Sequence, residues 1–457
     1  MPRSVGGSLV RGTVPLVLLL LQARPASSQA TGVRSCRYVP GVSVPAQVPS
    51  GLPRDPIPTR ATVPGASPVD ASKTAAQRRT LTGLWNAVRD HYVYADFRGR
   101  DWDSIGARYR ALVERGLTDE DFKAAMQAML GELGDEHSHF QSREQVIEDE
   151  AALAGRRDFV GVGALFQPVG GGEHATVLAL FPQGPAAQAG LQPHDTMLAV
   201  DGGAIRTPEG VSRTLGPEGT RVTLTVERPG EPPRQVTLVR RRVSGGMPID
   251  FCLVPRTRIG YLFLPTFLDH TVADQTRAAL RRLNAAGPLE GLVIDNRVNG
   301  GGSGDVAKAM MALFTRGRHG SYLSRAGREP LEFAPEDVGG SQSVPLVVLV
   351  GGDTVSYAEI FSGVLRAAGR ARLVGERTPG NVEQLHRYDF EDGSRAWLAS
   401  ATFEPPGETA GAWEESGLVP DFVVPARWEL FTEPTDPGLA KAVELLRRGP
   451  AAPSLRP

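Results

Sequence analysis

The sequence of 457 residues contains little cysteine, no excess of either charge and no apolar run long enough to span a bilayer. Its 50 Lys and Arg residues balance 51 Asp and Glu residues, and no run of charge is typical of a polyanion-binding tail. The even charge disfavours a nucleic-acid partner, and the short apolar runs disfavour a membrane-spanning helix, which needs about 20 apolar residues. A hydrophobic fraction of 41 % is enough for buried cores, and the length is typical of roughly two to four domains.

The two cysteines, Cys36 and Cys252, leave two interpretations open. In an oxidising compartment they could form one disulfide, and the alternative is two unpaired thiols. The sequence does not show whether they meet. No motif around Cys252 marks it as a nucleophile.

Residues 1–30 are typical of a secretory signal peptide. Two arginines accompany the apolar residues 14–21, and small residues follow up to Ala30. The alternative, a membrane anchor, is disfavoured because the apolar stretch is too short to span a bilayer. Cleavage after Ser28 or Ala30 is therefore predicted, with export of a soluble protein to the periplasm or the extracellular medium.

The pattern changes along the next part of the chain. Residues 31–73 are rich in Pro, Val, Ser and Ala without periodicity, which is typical of a linker or an extended arm. Residues 74–150 carry apolar side chains at spacings of three and four, which predicts a helical subdomain. Within it, Thr118 precedes three acidic residues and is predicted to cap a helix that stops at Gly134.

Short apolar runs dominate the rest of the chain. Between residues 155 and 245 they alternate with Gly and Pro, which predicts a small β domain. Between residues 246 and 435 they alternate with helical segments, which predicts an α/β domain, and residues 436–457 form a last helix and a tail. The predicted strands cover residues 177–181, 197–200, 222–226, 236–239, 259–264, 292–295, 346–350 and 372–375.

Residues 184–202 strongly resemble part of a PDZ domain. A short helix, a Gly-Leu corner and a strand that ends in Asp-Gly follow one another in the order that a PDZ domain has. Just upstream, residues 159–163 resemble the loop that holds the terminal carboxylate of a peptide, because glycines let N–H groups converge on an anion. The alternative is a plain turn between two strands. The candidate peptide-binding residues are Val160, Gly161, Val162 and Gly163.

A glycine-rich turn covers residues 295–305 and reads Asp-Asn-Arg-Val-Asn-Gly-Gly-Gly-Ser-Gly-Asp. It follows an apolar strand and opens a helix, so its glycines can expose backbone N–H groups at a helix N-terminus. Such a turn suits an oxyanion hole or a phosphate. Phosphate binding is disfavoured because the turn has neither the G-x-G-x-x-G spacing nor a G-K-[ST] sequence.

Ser356 lies in a second strand-to-helix junction, within residues 351–361. Its hydroxyl is predicted to be exposed at the start of a helix, in the favourable field of the helix N-terminus, as a nucleophile requires. The alternative is an ordinary N-cap serine, with Glu359 three residues later completing a capping box. The residues taken alone favour the cap.

These segments, in this order, resemble the carboxyl-terminal processing proteases and their tricorn-like relatives. The resemblance covers nearly the whole chain after residue 30. In the processing proteases the nucleophile is a Ser three residues before a Glu, which corresponds to Ser356 here. The resemblance also implies an oxyanion hole made by the amide of Tyr357 and that of Gly301 or Gly302.

One position departs from the family pattern. The processing proteases have a Lys that acts as general base in a G-E-x-T-x-G-K sequence, and this chain has Asn381 there. A Ser-Lys mechanism is excluded at this position because an amide does not accept a proton at neutral pH. Asp295 and Arg297, in the glycine-rich turn, are expected to brace it rather than to react.

His137 is the alternative base. Residues 133–138 resemble a turn of the tricorn branch in which a His is the base, and an imidazole titrates in the right range. Residues 414–421 resemble a stretch of the same branch that carries a catalytic Glu, which implies that Glu414 supports the His side of the relay. Glu136 stands where tricorn has a serine of the relay, so that link is not carried over.

The same turn could instead hold a metal ion, since Asp135, Glu136, His137 and His139 include a His-x-His spacing that is common at zinc sites. No third conventional ligand is evident elsewhere in the sequence, and the turn matches the protease family better. We therefore expect neither a metal nor another cofactor. His139 is expected to be a neighbour of the base.

The resemblance implies an α+β multidomain protein with an N-terminal helical subdomain, a PDZ-like β domain and a C-terminal α/β catalytic domain of the crotonase/Clp-like ββα type. It further implies an exported serine-type endopeptidase that acts on peptides or on the carboxyl-terminal tails of unfolded proteins, without stable membrane insertion. Two rival functions remain open. One is an inactive PDZ scaffold, which the departure at Asn381 motivates, and the other is a binder of small hydrophobic ligands.

Overall fold

The computed structural model describes residues 32–38, 70–135, 137–169, 172–207 and 211–448. The predicted signal peptide and its cleavage site lie outside these residues, as does most of the predicted linker. Among the helices of the described ranges, none combines the length and the apolar character that a membrane crossing requires. Buried apolar clusters form the core of the helical subdomain, the core of the β domain and both faces of the central sheet of the α/β domain.

The predicted helical subdomain is present, and its last helix, Arg143–Leu153, and one short strand were not predicted from the sequence. Its elements are α1 (Ala71–His91), α2 (Trp102–Val113), α3 (Asp119–Gly131), β1 (His139–Gln141) and α4 (Arg143–Leu153). The Thr118 hydroxyl accepts a hydrogen bond of 3.1 Å from the Asp121 N–H, which confirms the predicted cap. The helix α3 ends before the predicted stop at Gly134, because Glu132 and Leu133 donate to carbonyls three residues back rather than four.

The predicted β domain is also present. Its elements are β2 (Arg157–Gly161), β3 (Ala164–Val169), β4 (His174–Leu180), α5 (Pro185–Gln188), β5 (Thr196–Val200), β6 (Arg221–Glu227), β7 (Arg234–Val239) and β8 (Arg241–Gly245). Strands β3 to β7 form an antiparallel sheet in chain order, and β2 pairs with β8 in a separate ribbon. The edge strands of the sheet are β3 and β7, and β3 directly follows the candidate carboxylate loop.

The α/β domain contains the remaining elements. They are β9 (Asp250–Leu253), β10 (Ile259–Phe263), α6 (Thr271–Asn284), β11 (Gly291–Asp295), α7 (Gly304–Ala312), β12 (Gly317–Ser324), β13 (Gly327–Phe333), β14 (Leu346–Val350), α8 (Tyr357–Ala367), β15 (Ala371–Gly375), β16 (Gln384–Asp389), β17 (Arg395–Glu404), β18 (Phe422–Val423) and α9 (Pro437–Arg447). The predicted strands of both domains are confirmed to within a few residues.

The central sheet of this domain has the order β18-β15-β14-β11-β10-β9, and all its strands are parallel except β9. Helices α6, α7 and α8 cover one face of the sheet, and α9 covers the other. The glycine-rich turn and the Ser356 loop follow the neighbouring strands β11 and β14. Because parallel strands end at the same edge of a sheet, the two loops meet there.

A second sheet was not predicted from the sequence. It pairs β1 with β17 and places β12 and β13 beside them, with β16 on β17. The pairing of β1 with β17 joins residues far apart in the chain, such as His139 and Trp397. This strand pair fixes the turn that carries His137 to the catalytic domain.

Cys36 and Cys252 form a disulfide, with Cα atoms 5.1 Å apart, which decides between the two interpretations left open by the sequence. Beside it, the Cys36 N–H donates to the Leu253 carbonyl at 2.9 Å, and the Leu253 N–H donates to the Arg34 carbonyl at 3.1 Å. Part of the predicted linker is therefore an added parallel bridge on β9, covalently tied to the sheet.

The β domain packs on the catalytic domain through aromatic rings. His194 stacks on Trp428 with ring centroids 4.1 Å apart, and its Nδ1 lies 2.8 Å from the Trp428 carbonyl. Burial lowers the pKa of His194 to about 4, so the ring is neutral at pH 7 and Nδ1–H donates to that carbonyl. The Arg297 guanidinium of the glycine-rich turn lies 5.2 Å from the same Trp428 ring. One tryptophan thus contacts both the β domain and the turn beside Ser356.

Candidate active site

Ser356 is the residue before α8, in the loop that follows β14. Its backbone has φ 60° and ψ −129°, a conformation that costs a residue other than glycine about 1–3 kcal/mol. The Ser356 N–H donates to the Glu359 carboxylate at 3.2 Å, a contact that belongs to the predicted capping box. The strained backbone places the side chain at the helix N-terminus, where the positive end of the helix dipole stabilises negative charge.

The glycine-rich turn lies directly against this serine. A Cβ on Gly301, which has φ +83°, would come within 2.8 Å of the Ser356 Cβ and 3.0 Å of the Tyr357 nitrogen. A side chain is therefore excluded at this position. The Gly301 N–H donates to the Asn299 side chain at 2.9 Å, so it is engaged within the turn. Among the described residues, no acceptor contacts the N–H of Tyr357 or of Gly302, and both remain open to a bound oxyanion.

A buried ion cluster braces the turn, as predicted for Asp295 and Arg297. The Arg297 guanidinium donates to Asp295 at 2.9 Å and to Asp436 at 3.0 Å. All three side chains are almost completely buried. Because each charge in such a cluster needs its partner, loss of Arg297 would leave buried carboxylates uncompensated.

Glu359 connects the Ser356 loop to the position of the family lysine. Its carboxylate accepts hydrogen bonds from Thr378 Oγ1 at 2.5 Å, from the Gly380 N–H at 2.8 Å and from the Asn381 N–H at 2.9 Å. Burial raises the pKa of Glu359, and these donors oppose that rise. Asn381 is thus fixed through its backbone to the same carboxylate that binds the Ser356 N–H.

Residues 380–383, here called the connecting segment, reach the other candidate residues in turn. The Val382 N–H donates to Oε2 of the Glu414 carboxyl group at 2.8 Å. The next side chain, Glu383, has its Oε2 3.8 Å from Nδ1 of His137. Successive residues of one segment therefore contact Glu359, Glu414 and His137.

His137 lies in the turn between α3 and β1, with 8 % of its surface exposed. The Asp135 carboxylate accepts a hydrogen bond of 3.0 Å from the His137 N–H, and the Ala399 N–H donates to Ser138 Oγ at 3.1 Å, so the turn is fixed from two sides. Burial lowers the pKa of His137 to about 4, although the Asp135 charge opposes it. The imidazole is therefore neutral at pH 7 and able to accept a proton.

Glu414 lies at the mouth of a small cavity beside the connecting segment. Burial, and then the charge of Glu383, raise the pKa of Glu414 to about 8, so its carboxyl group is protonated at neutral pH. The cavity has a volume of about 270 Å³. It is lined by Arg98, Gly134, Asp135, Pro379, Gly380, Asn381, Glu414 and Glu415.

The structure brings Ser356, Tyr357 and Gly301 into direct contact and connects Glu414 and His137 to them through the connecting segment. The imidazole of His137 makes no hydrogen bond with Ser356, and Glu414 contacts the Val382 backbone rather than the imidazole. In the described part of the turn, the ligating atoms of Asp135, His137 and His139 do not converge on one point as metal ligands do.

Sequence reasoning missed two carboxylates of this site. It treated Glu359 as a helix-capping residue only, although Glu359 also binds Thr378, Gly380 and Asn381. It did not consider Glu383, which faces His137 from a loop. The available signal was proximity in sequence, because Glu383 lies two residues after the position of the family lysine.

Of the candidate peptide-binding residues, Val160 and Gly161 end strand β2, which pairs with β8, and only Val162 and Gly163 form the connection to β3. The Val162 carbonyl accepts a hydrogen bond of 2.8 Å from the Ala186 N–H at the start of α5, and the Gly163 carbonyl accepts one of 3.0 Å from the Phe181 N–H. In the described ranges, nothing accepts the N–H groups of Val162 and Gly163. The loop therefore directs its carbonyls inward and leaves two N–H donors next to the edge strand β3.

Comparison with known protein families gives three matches in the order of these domains. Residues 76–131 match the tricorn protease C1 domain, residues 176–228 match the PDZ domain and residues 258–424 match peptidase family S41. The last match includes the glycine-rich turn, Ser356, Asn381 and Glu414. It does not include His137.

Individual relatives give the same result. The chain is 29 % identical over 394 residues to a carboxyl-terminal-processing protease of Synechocystis, which covers 82 % of this chain and 88 % of the relative. It is 28 % identical to a chloroplastic C-terminal processing peptidase of Tetradesmus obliquus, over 75 % of this chain and 76 % of the relative. Among solved structures, a photosystem II D1 C-terminal processing protease superimposes with a TM-score of 0.54 at 26 % identity, covering 80 % of this chain and 97 % of the other.

The family matches and the site agree on one class of protein, a serine-type peptidase with a PDZ domain. Its glycine-rich turn and its Ser356 loop meet at one edge of the central sheet. The chain is a relative of the carboxyl-terminal processing proteases, and its residues 258–424 match peptidase family S41.

Proposed function

We propose that this peptidase cleaves the carboxyl-terminal tails of proteins, with Ser356 as nucleophile and His137 as general base. The observation that carries the proposal is the contact of Gly301 with Ser356 and Tyr357 at the start of α8. It places a hydroxyl beside backbone N–H groups that have no acceptor, which is what an acyl-transfer site requires.

The first step forms an acyl-enzyme. His137 takes the proton of the Ser356 hydroxyl while Oγ bonds to the substrate carbonyl carbon. The carbonyl oxygen becomes an oxyanion, which accepts hydrogen bonds from the N–H of Tyr357 and the N–H of Gly302. The protonated imidazole then gives its proton to the leaving amine as the C–N bond breaks. A water molecule that gives a proton to His137 then attacks the acyl-enzyme and releases the acyl group.

His137 must approach Ser356 for this step, because no hydrogen bond joins the two side chains in the structure. The connecting segment offers the route, since it contacts both Glu359 next to Ser356 and Glu383 next to His137. Catalytic hydrogen bonds are often long in a free enzyme and shorten when substrate binds. We infer that Glu414 supports the relay indirectly, by fixing Val382 within this segment.

The PDZ domain is proposed to deliver the tail. Val160, Gly161, Val162 and Gly163 lead into the edge strand β3, and an extended peptide can pair with that edge while its carboxylate binds the free N–H groups. Leu215, which is 40 % exposed, lies against Gly161 and offers an apolar contact for the last side chain of the tail.

We further propose export and the finer fold assignment. The disulfide of Cys36 and Cys252 and the signal-like residues 1–30 support a periplasmic or extracellular location. The parallel strands β10, β11, β14 and β15, with α6 to α8 on one face, support the crotonase/Clp-like ββα type. We propose the domain limits that the sequence predicts. Helix α9, which follows the proposed limit of the catalytic domain at residue 435, packs on the sheet of that domain.

A tail-dependent cleavage assay tests this function. A folded reporter with an unstructured tail is expected to be cleaved about tenfold or more faster, in kcat/KM, when the tail ends in a free carboxylate than when it ends in an amide. The reason is that a hydrogen bond to a charged group contributes about 1.5–3 kcal/mol. As a control, a short peptide that contains the cleavage site but no tail is expected to be cleaved at the same rate whether it ends in a carboxylate or in an amide.

Equal cleavage of both reporters would contradict docking of the tail on the PDZ domain. If neither reporter is cleaved while the carboxylate tail still binds, the protein is a peptide-binding scaffold. If neither binds and solvent extraction of the purified protein releases an apolar compound, it is a binder of small hydrophobic ligands.

A further inference from the structure

Several buried polar atoms without hydrogen-bond partners come together between the helical subdomain and the connecting segment. Within the described residues they include Tyr92 Oη, Asp135 Oδ2, His137 Nδ1 and Glu383 Oε1. A buried polar atom without a partner costs about 1–3 kcal/mol, and more if it is charged. Of these atoms, Tyr92 Oη and Asp135 Oδ2 lie close enough to interact with one another, and Nδ1 of His137 and the Glu383 carboxyl group remain.

Glu383 and His137 are the pair that can satisfy one another. The side chains are 1 % and 9 % exposed, and Oε2 of Glu383 lies 3.8 Å from Nδ1 of His137. A closure of about 1 Å would give a hydrogen bond of normal length. Burial raises the pKa of Glu383, while the Tyr94 hydroxyl lowers it. The distance of 3.8 Å places the Glu383 carboxyl group within reach of one imidazole nitrogen, Nδ1.

The other carboxylates near the imidazole are already engaged. Oδ1 of Asp135 accepts the backbone N–H of His137 and of Ser138, which fixes the turn, and the Asp135 charge acts on the imidazole without a hydrogen bond to it. Glu414 accepts the Val382 N–H. Glu415 pairs with Arg98 at 3.0 Å and is 75 % exposed. Glu383 alone among these carboxylates faces Nδ1 within 4 Å.

We infer that Glu383 is the positioning residue that orients His137, and that Glu414 acts only on the backbone of the connecting segment. The inference rests on the proposed function of His137 as base and assigns a role that the sequence comparison gave to another glutamate. The Nδ1–H of the neutral imidazole donates to Glu383, which leaves Nε2 as the lone-pair acceptor for the Ser356 proton. When Nε2 takes that proton, the carboxylate stabilises the imidazolium, and no proton moves to Glu383.

The arrangement explains how the chain functions with Asn381 in place of a lysine. A buried imidazole with a pKa of about 4 is a weak base. A hydrogen-bonded carboxylate on Nδ1 raises the basicity of Nε2 in the closed state. The charged and titratable groups that face this pair are Tyr92, Tyr94, Arg98, Asp135, His139, Glu414 and Glu415.

The test compares Glu383→Gln with the matched neutral change Glu415→Gln, at an exposed glutamate that pairs with Arg98. Glu383→Gln removes the charge and keeps the size of the side chain. Its kcat is expected to fall about 10²–10⁴-fold with little change in KM, as for loss of the orienting carboxylate of a triad. The acid limb of its kcat/KM profile is expected to move to lower pH, because the imidazolium loses its stabilising charge. Glu383→Asp is expected to recover part of the loss, and Glu415→Gln to leave the acid limb in place.

A second readout does not require activity. In the full-length protein with ¹⁵N-labelled histidine, the His137 ring is expected to show a protonated Nδ1 and a free Nε2, and the pKa of His137 is expected to fall in Glu383→Gln. A fall in kcat with an unchanged acid limb and an unchanged His137 spectrum would mean that Glu383 is structural, and the inference would be wrong. The same shifts in Glu414→Gln, but not in Glu383→Gln, would assign the role to Glu414. If the wild type shows these ring properties but hydrolyses nothing, the inference stands and the proposed function fails.

Discussion

Replacing Ser356 by alanine is expected to reduce kcat by about 10³–10⁶-fold, to the level that binding and the oxyanion hole alone provide. The reason is that the acyl-enzyme cannot form without Oγ. Folding is expected to be unaffected, because the backbone N–H of residue 356 still donates to Glu359 and no buried hydrogen bond of the hydroxyl is lost. Turnover of an unfolded protein substrate and the thermal midpoint measure the two effects separately.

Ser324→Ala is the matched control for this change. Ser324 is an exposed serine at the end of β12, and its hydroxyl contacts only the hairpin residues 326 and 327. We expect it to retain wild-type turnover. Activity that survives in Ser356→Ala at a level comparable to Ser324→Ala would exclude Ser356 as the nucleophile.

Replacing His137 by glutamine is expected to lower kcat by about 10²–10⁴-fold, the usual contribution of a general base. In the wild type the acid limb of the kcat/KM profile is expected below pH 6.5, since burial lowers the pKa of the free His137 to about 4. The sign follows from the need for a neutral imidazole: activity falls as the pH drops through this pKa. The pH profile of kcat/KM, measured in both proteins, checks the assignment.

His139→Gln is the control in the same turn. The His139 ring contacts the backbone carbonyl of His137 at 2.9 Å and has no contact with Glu383 or Ser356. We expect it to keep most of its activity, with an acid limb at slightly higher pH than in the wild type, because the charge of His139 lowers the pKa of His137. A loss in His139→Gln that equals the loss in His137→Gln would mean that the turn acts as a structural unit and that the base is elsewhere.

The position of Ser356 at a strand-to-helix junction was predictable because its determinants are local, whereas its role as nucleophile was taken from the family resemblance. An apolar strand, a glycine-containing loop and a helix start at Ser356 follow one another in the sequence, and these elements alone place the hydroxyl at the edge of the sheet. The glycine-rich turn was predictable for the same reason. What the sequence could not show was the use of the Gly301 N–H, which donates to Asn299, whereas the Gly302 N–H has no acceptor among the described residues.

The environment of the base depends on contacts between distant segments. His137 and Glu383 are brought together by the pairing of β1 with β17, and neither strand has a strong alternating pattern. Motif resemblance therefore assigned the supporting glutamate to Glu414, whose spacing matches the family, whereas the nearest carboxylate to Nδ1 belongs to Glu383. The disulfide is a similar case, since Cys36 reaches Cys252 only because residues 34–36 add to the edge of β9.

The central claim, that Ser356 is the nucleophile, is tested most directly by covalent labelling with a fluorophosphonate followed by peptide mass spectrometry. The account predicts one modified residue, Ser356, and labelling that is lost in Ser356→Ala and strongly slowed in His137→Gln. A wild-type protein that cleaves substrate but carries the label on another serine, or on none, would contradict it.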